Sequence, residues 1–93
     1  FASLFPNMIG DYDAFNIDAE YKVFKTSSNG DPFLPRITMN LSLILNSEVI
    51  ILRVKGKMKE YILERANLED SLPLNHLLKN RKKNNFFIEK INN

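Results

Sequence analysis

The sequence predicts a small α+β domain, and three observations lead there. Apolar and polar residues alternate from Phe15 to Val23, the period-two signature of a strand with one buried and one wet face. Two further apolar runs, Ile37 to Leu45 and Val49 to Lys55, are separated only by the polar step around Asn46-Ser47. Past Gly56 the residues change to good helix formers such as Met, Lys, Glu, Leu, Arg and Ala. The expected architecture is a small antiparallel sheet with strands near 14–25, 37–45 and 49–55, followed by one or two C-terminal helices. A chain of 93 residues, 44% hydrophobic and 26% charged, has enough apolar matter for one core and too little for a second.

The elements follow in order. Residues 1–13, with Pro6 and a turn at Ile9-Gly10-Asp11, read as an extended lead-in. In the first strand Phe15, Ile17, Ala19, Tyr21 and Val23 form the dry face. The stretch from Thr26 to Pro32 is a loop, with Asn29-Gly30 offering the positive φ of a tight turn, while Pro32 and Pro35 delay pairing until Arg36. The second strand puts Ile37, Met39, Leu41, Leu43 and Leu45 on one face. It is expected to pair with Val49–Lys55 as an antiparallel hairpin about Asn46-Ser47. Residues 57–67 fit a helix or a continued strand, with helix favoured. A second helix opens at Ser71 as cap with Pro73 in the first turn, and stops near Asn80. The chain thus divides into a lead-in (1–13), one domain (14–80) and a basic and apolar tail (81–93).

Composition excludes several chemistries. With no cysteine there is no disulfide, thiolate metal site or cysteine nucleophile, and with one histidine there is no histidine pair. His76 lacks a nucleophile or fellow ligands in sequence. Asp11, Asp13, Asp18 and Glu20 form an acidic cluster that reads as solvated surface rather than a cation loop. Asn40-Leu41-Ser42 matches a glycosylation acceptor in mid-strand. No catalytic, metal-binding or cofactor-binding residue is assigned, no cofactor is expected and no small-molecule substrate is evident. No apolar run is long enough for a membrane helix, so a cytoplasmic or virion location is expected. Phe1 in place of Met reads as processing or as a piece of a longer polypeptide. Asn, Lys, Ile and Phe make up 37 residues, a bias that fits an AT-rich genome.

Charge is uneven along the chain. Residues 1–47 carry three positive and five negative charges, whereas residues 48–93 carry ten positive and six negative. The densest cluster, Lys79, Arg81, Lys82 and Lys83, is the candidate nucleic-acid-binding run. Beyond it Phe86, Phe87, Ile88 and Ile91 are too apolar for a plain tail and are expected to contact a protein partner or a second copy.

The stretch from Tyr21-Lys22-Val23-Phe24 through Asn29-Gly30-Asp31-Pro32-Phe33-Leu34-Pro35-Arg36 to Ile37–Leu45 and Glu48-Val49-Ile50-Ile51 resembles the tail-tube and baseplate-junction proteins of contractile-tailed phages. The resemblance covers residues 14–55 and implies sheets that join into rings. The expectation is therefore a non-enzymatic structural or assembly module acting through protein–protein interaction. The alternative is a nucleic-acid-binding domain of ribosomal or organellar type.

Overall fold

Short polar side chains decide where this chain stops being extended. Asp11 Oδ1 accepts the amide of Asp13 at 3.0 Å and opens α1 (Tyr12–Phe15); Asn16 Oδ1 then accepts the amide of Asp18 at 2.8 Å and turns the chain out of it. The computed structural model describes residues 2–91, so Phe1, Asn92 and Asn93, at the ends of the expected lead-in and tail, lie outside it. A 3₁₀ turn (Pro6–Met8) precedes α1. After it come β1 (Val23–Lys25), β2 (Ile37–Met39), α2 (Leu41–Leu45), β3 (Ile50–Lys55), α3 (Lys57–Ala66), α4 (Pro73–Asn80) and β4 (Phe86–Ile91).

The α+β class is borne out, and the pairing differs from expectation. There are two two-stranded sheets among the described residues: β1 with β2, antiparallel, and β3 with β4, parallel. The strand expected over 14–25 survives only at Val23–Lys25. The strand expected over 37–45 ends at Met39, because Asn40 caps a helix there. No hairpin forms about Asn46-Ser47; β3 instead runs beside β4 with Ile50 opposite Phe86 and Lys55 opposite Ile91. Helix is the outcome for residues 57–66. Its neighbour α4 has Pro73 in the first turn, but its cap is Leu72 rather than Ser71.

Asn40 is fully buried and its side chain makes five hydrogen bonds. Nδ2 donates to the carbonyls of Asp13 and Glu20, both at 2.8 Å. Oδ1 accepts from the amides of Lys22 and Leu43 and from the Ser42 hydroxyl. One amide group thereby ties the end of α1, the approach to β1 and the start of α2 together. On that frame Leu4, Ala14, Phe15, Leu41, Ile44, Leu77 and Phe86 form the core cluster, with Ile50 and Leu52 of β3 packed against it. The expected dry face of the second strand is inverted: Ile37 is 74% exposed, while Thr38 and Asn40 are buried.

Asn40→Ala leaves the carbonyls of Asp13 and Glu20 and the amides of Lys22 and Leu43 without this partner, at about 1–3 kcal/mol each where water cannot replace it. The expected loss is at least about 3 kcal/mol, a large share of the stability of a small domain. Urea unfolding measures it; a loss under about 1 kcal/mol would show that the amide is dispensable.

Candidate functional site

The parallel pair and the helix that follows it create a concavity with three basic residues in its lining. β3 ends at Lys55, Gly56 turns the chain with φ 87° and ψ 158°, and α3 starts at Lys57. That backbone region is open almost only to glycine, because a Cβ would meet its own backbone. Within α3 the first helical bond runs from the Glu60 amide to the Gly56 carbonyl at 3.2 Å, so the amides of Lys57, Met58 and Lys59 have no partner inside the helix. These amides sit where the carboxyl end of a parallel strand meets a helix start, the position at which open α/β sheets receive ligands. A cleft of about 380 Å³ adjoins them; its lining is mostly apolar, from Leu52 and Val54 of β3, Ile62 and Leu63 of α3 and the segment Leu72–Leu74, with Arg53, Lys55 and Lys59 as its charged members. Arg53 is shared with Glu89 across the strands at 3.4 Å, both side chains more than half exposed. Lys59 has no ion-pair partner among the described residues.

The basic run of the sequence does not form one cationic face. Lys79 lies in the last turn of α4, where its charge suits the helix dipole. Arg81 stacks over the Phe86 ring at 4.7 Å, and Lys82 and Lys83 are exposed in the connection to β4. The apolar C-terminal residues separate as well. Phe86 is buried in the core, Phe87 and Ile88 are 55% and 42% exposed, and Ile91 is half-buried beside Lys55.

The other polar residues singled out in the sequence have structural partners. His76 Nε2 lies 2.8 Å from the Asp70 carbonyl, and its ring meets Phe15 edge-on at 5.3 Å. Asp13 pairs with Lys22 at 3.1 Å. No group of three or more potential metal ligands occurs among the described residues. The glycosylation-pattern asparagine is Asn40, buried and fully engaged. Among the described residues no helix is long and apolar enough to cross a membrane.

A parallel strand pair bridged by two helices is an α/β unit, and the carboxyl end of its strand is where such sheets receive ligands. The family model for glucosamine-6-phosphate isomerases/6-phosphogluconolactonase matches residues 1–87, and the chain belongs to that family. The crystal structure of 6-phosphogluconolactonase from Thermotoga maritima shares the fold, with a TM-score of 0.65 and 22% identity. The likeness covers 91% of this chain and 36% of that one, so the chain spans little more than a third of its solved relative's length. No curated protein matches.

The family overturns four expectations. The likeness to phage tail-tube and baseplate-junction proteins fails against the family match and the shared fold, and of the stretch Ile37–Leu45 on which it rested, Leu41–Leu45 is helix. The non-enzymatic assembly module and the nucleic-acid-binding alternative fail with it, since the family is one of isomerases and lactonases. The expectation that the protein is no enzyme falls for the same reason, and a virion location has no support left. Lys59 escaped the sequence reading, in which Gly56 served only as the end of a strand. The signal that was there is a glycine directly after an apolar strand, followed within three residues by two lysines.

Gly56→Ala places a Cβ in open space but on a backbone that L residues avoid. The expected cost is about 1–3 kcal/mol, from conformation alone. A thermal midpoint unchanged to within a degree would show that the turn adapts.

Proposed function

We propose that this protein acts on a six-carbon sugar carrying a 6-phosphate, and that the cleft at the carboxyl end of β3 receives that phosphate. The observation that carries the reading is the family match over residues 1–87. Both activities in the family's description share one chemical feature, a phosphate on a hexose-derived ring or chain, although one rearranges an amino sugar and the other opens a lactone. Phosphate recognition is therefore the part of the task common to the family. Lys59, the first-turn amides of α3 and the helix dipole supply complementary charge for it. Lactone opening, the reaction named for the solved relative, adds water across the ring ester. The ring C–O bond breaks, and a carboxylate, a hydroxyl and one proton result.

The outer face of the parallel pair fits a larger enzyme. Ile51 and Phe87 lie opposite each other and are 57% and 55% exposed, whereas parallel sheets are ordinarily covered on both faces. In this proposal the partner contact expected at Phe87 and Ile88 is made by further protein of the same fold, in keeping with a relative about two and a half times as long.

Calorimetric titration of the chain with 6-phosphogluconate, glucosamine 6-phosphate and unphosphorylated gluconate tests the reading. The two phosphorylated ligands are expected to bind and gluconate to bind far more weakly. Lys59→Gln is expected to weaken phosphate-dependent binding about tenfold or more, the scale of one charge-assisted contact of about 1.5–3 kcal/mol. Lys83→Gln should leave it within about twofold. Equal binding of gluconate, or no binding of either sugar phosphate, would overturn the proposal.

A further inference from the structure

The loop between β1 and β2 carries a reaction of its own. Asn29 is followed by Gly30, the one Asn-Gly step in the sequence. An asparagine side-chain carbon is one five-membered ring away from the next backbone nitrogen. Glycine, having no Cβ, hinders attack by that nitrogen least. Here the nitrogen is available: the Gly30 amide has no hydrogen-bond partner among the described residues, and residues 30–35 are all exposed. The Asn29 side chain is held by one long bond, from Nδ2 to the Ser27 carbonyl at 3.4 Å. Its backbone makes two bonds to Leu34, at 3.2 and 3.4 Å, and no residue of 27–36 belongs to the apolar core cluster. Opening the loop far enough for ring closure therefore breaks polar bonds that water replaces, and no burial is lost.

What sets this Asn-Gly step apart is the guanidinium beside it. Arg36 Nε donates to the Asn29 backbone carbonyl at 3.2 Å and Nη2 to the Pro32 carbonyl at 2.6 Å. A Cβ on Gly30 would lie 3.0 Å from Nη2. A cation thus stands against the peptide bond between Asn29 and Gly30, and among the described residues no carboxylate pairs with it. Such a charge stabilises the deprotonated Gly30 nitrogen that attacks, and it polarises the Asn29 carbonyl to which it donates.

We infer that Asn29-Gly30 is a self-modification site, at which Asn29 is converted to isoaspartate and the carboxylate so formed is captured by Arg36. The Gly30 nitrogen, having lost its proton to water, bonds to Asn29 Cγ; the Cγ–Nδ2 bond breaks, and ammonia leaves with a proton taken from water. One water molecule then opens the resulting succinimide. Addition at the backbone carbonyl, the one that Arg36 polarises, leaves the chain running through Cγ and turns that carbonyl into a free carboxylate. Addition at Cγ gives aspartate instead. On either branch one water is consumed, one ammonia is released and no electron is transferred. In the isoaspartate product the oxygen that stood 3.2 Å from Nε belongs to a carboxylate, so a neutral acceptor has become a counter-ion. The net charge of the chain falls by one, from +2.

Ageing the intact chain at mildly alkaline pH, followed by tryptic digestion and mass spectrometry, tests this. The peptide Thr26–Arg36 is expected to gain about 1 Da, the difference between amide and acid, ahead of every other asparagine-containing peptide. An isoaspartyl methyltransferase, which esterifies the new α-carboxylate, counts the isoaspartate. Its ratio to aspartate is expected to exceed that of the separately aged peptide Thr26–Arg36 by about twofold or more, the scale of one partly exposed charge contact. Arg36→Gln is expected to bring the ratio back to the peptide's value. If Asn29 keeps its amide in the intact chain while the isolated peptide converts, the inference is overturned. Equal ratios in chain and peptide overturn it too, whether or not the glutamine variant folds, and so does a ratio still raised in a folded Arg36→Gln.

Discussion

The structure hangs on one buried amide. Asn40 stands where three segments cross, and each needs a backbone partner that no regular element supplies. The carbonyls of Asp13 and Glu20 lie at the ends of short pieces, and the amide of Leu43 is in the first turn of α2, where helix geometry provides no acceptor. An unpaired peptide group in a dry interior costs on the order of a few kcal/mol, so without the side chain these turns would have to open to water. Only asparagine or glutamine offers both donor and acceptor on one planar group, and asparagine is short enough to serve as a helix cap as well. Leu41, packed directly beside it with no exposed surface, then starts the apolar cluster that α1, α4 and β4 complete.

The abundance of asparagine reads in sequence as genome bias, yet several of these residues serve the same end elsewhere. Asn75 Nδ2 donates 2.8 Å to the Ala66 carbonyl at the end of α3, and Asn80 Nδ2 donates 2.7 Å to the His76 carbonyl inside α4. Asn85 Nδ2 reaches the Ser47 carbonyl while its own carbonyl accepts the Ile50 amide at 2.9 Å, which fixes the start of β3 against β4. With elements of three to ten residues, this fold has many ends and few internal ladder bonds. Polar side chains that bond to the backbone therefore carry an unusual share of its organisation.

That share explains which parts of the fold were legible. The segments 50–55, 57–66 and 73–80 were readable, because β-branched runs, helix formers and a first-turn proline act locally and no competing polar contact intervenes. The segment from Ala14 to Leu45 was legible only at 23–25, at 37–39 and in the loop between them. Its alternation is real, but Asp11, Asn16 and Asn40 each make a local bond that diverts the backbone, and Leu41, Ile44 and Leu45 satisfy helical spacing as well as strand spacing. Phe86 could not be placed from sequence, since its partners in the core come from α4 and from β3, more than thirty residues upstream. The parallel pairing was hidden for the same reason: a crossover leaves no turn signal. Of the candidate site, only the lysines were visible, as members of an unremarkable basic composition.

Both positive-φ glycines of the described chain stand close in sequence to a cation, Gly30 to Arg36 and Gly56 to Lys59. Gly56 turns β3 into α3, so that Lys59 and the first-turn amides lie at one end of the strand. Gly30, at φ 78°, brings the loop carbonyls of Asn29 and Pro32 onto Arg36 and leaves space for Phe5 behind it. At each position the backbone takes a conformation that glycine adopts freely and other residues resist. The cost of any other residue differs between the two. At Gly56 nothing lies within 4 Å of a would-be Cβ, so the constraint is conformational alone, whereas at Gly30 conformation and contact act together. A substitution at Gly30 thus has two independent costs, and it would move the guanidinium itself. The loop holding Arg36 is the more tightly specified of the two, although nearly all of its residues are exposed and none of 31–35 contributes to the core. The order of this loop therefore comes from polar bonds to Arg36 rather than from burial.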